Sequence, residues 1–236
     1  MGMLVNGAWH QEDPPMASGD GSFVRPQSGF RDRVTRDGSS GFKAEAGRYV
    51  LVTAPSCPWA HRTVLMRRLK GLADAIEILQ SDLPKGQGWA YSHGLDDLGP
   101  IDGIFHVHQV YSAARPDFTG RATVPVLWDR KTRTIVNNES SEIIRMLNSE
   151  FYEFGRAAVD LYPEKLRSAI DAINAFVYET INDGVYRCGF AKSQQAYEAS
   201  FRRLFAASTR SRSGSAISAI WSATASPRPI CGCFRL

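Results

Sequence analysis

The stretch LVTAPSCPWAHRTVLMRRLKGL, residues 51–72, sets a single cysteine, Cys57, at the junction of an apolar run and a basic amphipathic segment. A thiol attacks only as thiolate, and an unperturbed cysteine with a pKa of about 8.5 is mostly protonated at neutral pH. A place at the start of a helix favours the anion, because the unpaired N–H groups and the helix dipole point positive charge at it. Pro58 suits a first helical turn, where a missing N–H costs nothing. His61 and Arg62 add nearby positive potential. A small apolar residue in a core would also fit Cys57, since free cysteines are often buried. Spacing alone leaves both readings open.

Ala60 stands three residues after Cys57, so a local disulfide has no second sulfur. A lone thiol that attacks a substrate sulfur stays in the mixed disulfide until an external thiol releases it. The natural external thiol of a cell is glutathione. Two further motifs bear on such a site. In TVPV, a cis Pro125 opposite the cysteine would offer the Val124 N–H and C=O to a bound peptide thiol, although a turn-breaking proline at a strand edge accounts for the motif as well. In NNESSEI, the amides of Glu139 and Ser140 at a helix start could hold a γ-glutamyl carboxylate, and helix capping by Asn138 or Ser140 is the plainer alternative.

The elements that would position these residues follow from periodicity. RYVLVTA is a β-branched strand, broken at Pro55 and Ser56. Val64, Leu65, Arg68 and Leu69 then fall at helical spacing up to a stop at Gly71. AIEILQSDL is a second strand, and parallel pairing makes a βαβ unit. Residues 84–119 are irregular and read as an inserted loop with a strand at GIFHVHQV. ATVPVLWD and RTIVNN form a hairpin, followed by a helix in ESSEIIRMLNSEF with two acids in its first turn. The order is βαβ, loop, ββα, preceded by an extended arm over residues 1–45 rich in Gly, Ser, Pro, Asp and Arg. From Tyr162 the pattern is helical: Leu166, Ala169, Ile170, Ile173, Phe176 and Val177 share a stripe, and SQQAYEASFRRLFAA is a second amphipathic helix. The expectation is an α/β domain over 46–158 and the start of an all-α domain over 159–207.

Composition excludes several classes. The 236 residues are 43% hydrophobic, as in an ordinary globular protein. The net charge of +4 comes from Arg210, Arg212, Arg228 and Arg235, beyond Ala207; without them basic and acidic residues balance at 24 each. The charge therefore argues for no nucleic-acid partner. No run approaches the ~18 apolar residues of a membrane helix, and no signal pattern opens the chain, so a cytoplasmic setting is expected. Cys57, Cys188, Cys231 and Cys233 do not form a disulfide framework and are read as reduced thiols. His106 and His108 alternate as on a strand face without a third ligand at zinc-site spacing, and no metal is expected.

Together the segments FVRPQSGFRDRV, RYVLVTAPSCPWAHRTVLMRRLKGL, GRATVPVLWDRKTRTIVNNESSEIIRMLN and YPEKLRSAIDAINAFVYETINDGVYRCGFAKSQQAYE closely resemble the Xi-class glutathione transferases, or glutathionyl-hydroquinone reductases. The resemblance covers Phe23 to Ala207. It implies a thioredoxin-like N-terminal domain, a helical C-terminal domain, a homodimer, and glutathione as co-substrate. It implies Cys57 as nucleophile toward a glutathionyl-hydroquinone. Trp89 and Arg121 would contact glutathione, Val124 would pair with its backbone, and Glu139 with Ser140 would hold its γ-glutamyl end. Tyr178 and Tyr186 would line the hydroquinone pocket, although core or interface packing suits both tyrosines equally. The same monothiol chemistry would serve a glutaredoxin-like thioltransferase or dehydroascorbate reductase. A non-catalytic binding protein on the same scaffold is the remaining alternative.

Residues 208–236 depart from this pattern, with no acid and no helical period. A shifted reading frame permits LDALEERLSDQRYLVGDRLTEADLRLFP, an amphipathic string ending in a G-D-x-x-T-x-A-D pattern of glutathione transferases. The expectation is a one-nucleotide deletion near the codon for Ala207, leaving the helical domain incomplete and the activity of the chain impaired.

Overall fold

A computed structural model describes residues 2–12, 16–82, 86–91 and 103–212. The chain divides into two compact units, Met1–Pro14 with Gln27–Asp160 and Pro15–Pro26 with Leu161–Leu236.

The first unit is built on a four-stranded sheet whose strands lie in the spatial order Ile76–Gln80, Tyr49–Thr53, Val126–Asp129 and Thr134–Asn137. The inner strand β5 (Tyr49–Thr53) runs parallel to β6 (Ile76–Gln80) and antiparallel to β7 (Val126–Asp129), which pairs antiparallel with β8 (Thr134–Asn137). Parallel neighbours need a crossover, and α1 (Pro58–Leu69) supplies it. All five residues of β5 are buried because both faces of the sheet are covered. Val50, Val52, Val126, Trp128 and Ile135 pack on one face with Val107, Val110 and Tyr111. Tyr49, Leu51, Leu127 and Val136 pack on the other with Ile143, Met146 and Leu147 of α3 (Ser140–Ser149) and with Val64 and Met66 of α1. This is a thioredoxin-like α/β arrangement.

Helix α1 ends as its sequence requires. Gly71 adopts φ +68°, its N–H donates to Arg68 O at 3.1 Å, and the Leu72 N–H donates to Arg67 O at 2.9 Å. This pair of bonds closes the helix through a left-handed residue that a side chain would strain. Leu72, fully buried next in sequence, anchors the stop with about 1.5–3 kcal/mol of burial.

The inserted loop expected over 84–119 needs correction in its second half. A helix, α2 (Val107–Ala114), stands where a strand was expected at GIFHVHQV. The His-Val-His alternation mimics a strand, but Val107, Val110 and Tyr111 recur at helical spacing and all three are buried. The Gln109 side chain accepts from the N–H groups of Phe105 at 2.8 Å and His106 at 2.9 Å, which fixes the helix start. His106 therefore sits at the cap and His108 is buried, with their rings stacked 5.3 Å apart. Among the described residues no group of three His, Cys, Asp or Glu could hold a metal ion.

The arm is more structured than its composition suggests. Strands β1 (Met3–Val5) and β2 (Ala8–His10) form an antiparallel ladder, while β3 (Val34–Thr35) and β4 (Phe42–Lys43) form a short parallel one. Leu4 is fully buried and exchanges both backbone bonds with Gly120, at 2.8 and 2.9 Å. Phe30 and Val34 join the core from further along the arm.

In the second unit the expected long helix is interrupted. α4 (Arg167–Val177) passes into a π turn over Tyr178–Asn182, then α5 (Gly184–Gly189) and α6 (Gln194–Arg212) follow. Buried Asp183 accepts from Arg25 Nε at 2.5 Å and Arg187 Nε at 2.8 Å, tying the segment around Arg25 to these helices. Ala169 of the expected stripe is exposed, and Val177 alone within α4 is buried. Helix α6 runs past Ala207 to Arg212; residues 213–236 of the expected frame-shifted tail lie outside the described residues. No described helix is long and apolar enough to cross a membrane.

Candidate active site

Cys57 occupies the N-cap of α1, with φ −93° and ψ 113°, and Pro58 opens the helix behind it. Its side chain makes no capping hydrogen bond. It is half-buried, and its Sγ lies 3.5 Å from the Val124 carbonyl, to which the thiol donates. The Val124–Pro125 peptide is cis. Ala60, on the next turn, is fully buried. A thiol at a helix start is where the helix dipole favours a thiolate.

The start of α3 forms the other side of the site. Its N-cap is Glu139, in place of the expected Asn138 or Ser140, and the Glu139 carboxylate accepts from Ser141 N at 3.1 Å and Ser141 Oγ at 2.8 Å. Ser28 Oγ donates to the other carboxylate oxygen at 3.1 Å. The Glu139 N–H donates to Asn137 Oδ1 at 2.7 Å, so of the two amides expected to meet a carboxylate, one already has a partner. Ser140 is buried, and its Oγ accepts from Arg62 Nη2 at 2.7 Å and Nε at 3.0 Å. Arg62 also lies 3.6 Å from the Glu139 carboxylate and stacks over the Trp59 ring at 5.1 Å.

The N-terminal domain of glutathione S-transferases matches residues 56–150, which span both halves of this site. Glutathionyl-hydroquinone reductase PcpF of Sphingobium chlorophenolicum is 47% identical over 208 residues, covering 87% of this chain and 65% of that protein. The glutathione-bound structure of YqjG from Escherichia coli superposes with a TM-score of 0.75 at 37% identity, covering 94% of this chain and 67% of that one. Glutathione transferase Xi 1 from Trametes versicolor superposes with a TM-score of 0.73 at 44% identity, over 84% of this chain and 68% of that structure. The chain belongs to the Xi-class glutathione transferases. It spans 65% of the length of PcpF.

Within this Xi-class unit the other expected residues have distinct supports. Arg121, half-buried, follows the Gly120 that pairs with Leu4, so the arm sets its backbone. Trp89 is partly buried against the same core cluster as Cys57, and its carbonyl accepts from Val107 N at 2.9 Å. Tyr178 and Tyr186 belong to the second unit. Tyr178 is 42% exposed at the start of the π turn. The Tyr186 ring lies under the Arg25 guanidinium at 4.2 Å and stacks near Phe23 and Phe190.

Sequence reasoning missed the residues that hold the Xi-class site from behind. Tyr111 is fully buried; its hydroxyl donates to Thr123 O at 2.8 Å and accepts from Thr123 N at 3.2 Å and Asn138 Nδ2 at 2.9 Å. The Asn138 side-chain Oδ1 accepts from Phe30 N at 3.0 Å. The sequence signal was Tyr111 itself, whose buried phenol needs partners; the identity of those partners is a property of the tertiary fold.

Proposed function

We propose that this chain reduces glutathionyl-hydroquinones at the expense of glutathione, through a mixed disulfide on Cys57. The observation that carries the reading is Cys57 at the N-cap of α1, 3.5 Å from the Val124 carbonyl, with Ala60 where a second thiol would stand. The family relationship and the glutathione-bound relative from E. coli support it.

The Cys57 thiolate attacks the glutathionyl sulfur. The carbon–sulfur bond to the ring breaks, the ring carbon takes up a proton, and free hydroquinone leaves. The ring carbon is reduced by two electrons while the two sulfurs become a disulfide. A second glutathione thiolate attacks the glutathione sulfur of that disulfide, glutathione disulfide departs, and the Cys57 thiolate returns.

In this reading Val124 pairs through its N–H and C=O with the cysteinyl backbone of glutathione. Trp89 and Arg121 contact the tripeptide. The γ-glutamyl ammonium meets the Glu139 carboxylate, and its carboxylate meets the Ser140 N–H and hydroxyl at the start of α3, where the helix dipole favours an anion. Tyr178 and Tyr186 contact the hydroquinone ring. A homodimer and a cytoplasmic setting belong to the same proposal, on the strength of the family resemblance.

Incubation with a glutathionyl-hydroquinone followed by mass spectrometry tests the reaction. Hydroquinone release with a glutathione adduct on Cys57, lost in Cys57→Ser, is the expected result. An adduct formed only from disulfide substrates points to a thioltransferase, and no adduct from either points to a binding protein.

A further inference from the structure

Two stretches of backbone flank the site, one at the start and one at the end of the β7–β8 hairpin. One carries Val124, next to Thr123; the other carries Glu139 and Ser140, next to Asn138. Their separation decides whether one tripeptide can engage both.

The β7–β8 ladder ends at Leu127 and Asn137, and beyond it a buried phenol joins the two stretches. The Tyr111 hydroxyl has one proton and two lone pairs: the proton goes to Thr123 O and the lone pairs face Thr123 N–H and Asn138 Nδ2, with Thr123 Oγ1 a longer contact at 3.3 Å. It therefore grips both backbone polar groups of Thr123, the residue before Val124, and also Asn138, the residue before Glu139. Asn138 is held in turn by the arm: its side-chain Oδ1 accepts from Phe30 N at 3.0 Å, and its backbone N–H donates to Phe30 O at 3.1 Å. Phe30 packs edge-on against the Tyr111 ring with centroids 5.7 Å apart. Tyr111 is itself fixed in α2, with its ring packed against both Phe30 and Phe118, which also stack on each other. A saturated network in a buried setting is rigid, since each bond restricts the geometry of the next.

We propose that Tyr111, acting through Asn138 and Thr123, is a positioning residue that sets the distance between the Val124 backbone and the Glu139–Ser140 turn, so that one glutathione molecule engages both ends at once. The inference rests on the glutathione reading above. Its physical content is a coupling: binding of the cysteinyl part presents the γ-glutamyl part at high effective concentration only if the two half-sites keep their spacing.

The test compares glutathione with cysteinylglycine, which lacks the γ-glutamyl group, by titration calorimetry on the full chain with a reductant present. Wild type prefers glutathione. Tyr111→Phe keeps the ring and removes the hydroxyl, and it reduces that preference about tenfold. Asn138→Ala leaves the Tyr111–Thr123 bonds in place, severs the link to the Glu139 turn, and reduces the preference in the same direction. A merely structural role for Tyr111 would weaken both ligands alike and leave their ratio unchanged. If Tyr111→Phe does not fold, the Asn138→Ala ratio carries the test. A preference that survives in the folded variants overturns the positioning role while the glutathione reading stands. A wild-type chain that binds glutathione no more tightly than cysteinylglycine overturns the glutathione reading instead.

Discussion

Arg62 donates two hydrogen bonds to the Ser140 hydroxyl oxygen, from Nη2 at 2.7 Å and Nε at 3.0 Å. A guanidinium has no acceptor, so both contacts occupy the oxygen's lone pairs and turn the hydroxyl proton elsewhere. That proton is then available to a ligand carboxylate at the start of α3, and the positive charge behind it strengthens the donation. Loss of a charge-assisted hydrogen bond costs about 1.5–3 kcal/mol. Arg62→Met is expected to raise the KM for glutathione by roughly tenfold or more, with kcat changed far less. Steady-state kinetics against glutathione concentration checks it, and a fall in kcat at unchanged KM would place Arg62 in the chemical step.

Cys57 and Ala60 stand one turn apart on α1, and Ala60 is fully buried. Ala60→Cys would convert the monothiol turn into a dithiol one. A second sulfur at that position can attack the Cys57–glutathione disulfide from within the chain, expelling glutathione and leaving an internal disulfide. The expected outcome is loss of steady-state turnover with glutathione as reductant, partly restored by a dithiol reductant, and a single-turnover product mixture richer in reduced glutathione. Quenched-flow mass spectrometry reads both. Enlarging a buried alanine costs about 1–3 kcal/mol, so a thermal melt accompanies the measurement.

The parts of this fold that were legible in the sequence are those specified locally. Gly71 announces the end of α1 because only a few bonds, to Arg67 and Arg68, decide it. The β5–α1–β6 unit follows from patterns of a few residues each, whereas spacing left the Cys57 cap and the cis Pro125 each beside an alternative that the structure decides. What escaped was specified at a distance. Leu4 pairs with Gly120, Ser28 bonds Glu139, and Arg62 reaches Ser140. No local periodicity encodes such partners. α2 was misread for a different reason: a short helix with His-Val-His at its start presents two competing periods, and the burial of Val110 and Tyr111 against the sheet selects the helical one.

The pair Arg48 and Asp129 tests the scaffold beneath the site. Arg48 Nε and Nη2 donate to the two Asp129 oxygens at 2.9 and 2.6 Å, with side chains 7% and 0% exposed. Asp129 also accepts from Lys131 N and Thr132 Oγ1, so it locks the β7–β8 turn. Burial opposes its ionisation, but the Arg48 guanidinium and these donors together hold its carboxyl below the usual carboxylate range. Asp129→Asn leaves the buried guanidinium with only the more exposed Glu45 carboxylate, 2.9 Å from Nη1, as counter-charge, and is expected to cost about 3 kcal/mol in urea unfolding. The wild-type pair contributes fully above the ordinary carboxylate pKa. Its contribution falls as pH drops below that value, because the unfolded carboxyl takes up its proton first.

His108 predicts a second pH dependence in a different window. Its ring is stacked on Trp9 with centroids 4.5 Å apart, its Nε2 lies 2.9 Å from Gln87 Oε1, and the residue is 8% exposed. Burial, with a smaller contribution from the neighbouring His106, pushes its pKa down from 6.5 to about 4. The folded chain therefore keeps His108 neutral while the unfolded chain protonates near pH 6.5. Between those values the unfolded state holds more protons, so stability is complete above about pH 6.5 and declines as pH falls toward 4. The loss is on the order of 1–3 kcal/mol. His108→Gln removes the titrating ring and should flatten this part of the curve. Denaturant midpoints measured from pH 7 to 4 for both chains decide it: parallel curves would show that protonation of His108 is not what separates the folded from the unfolded state.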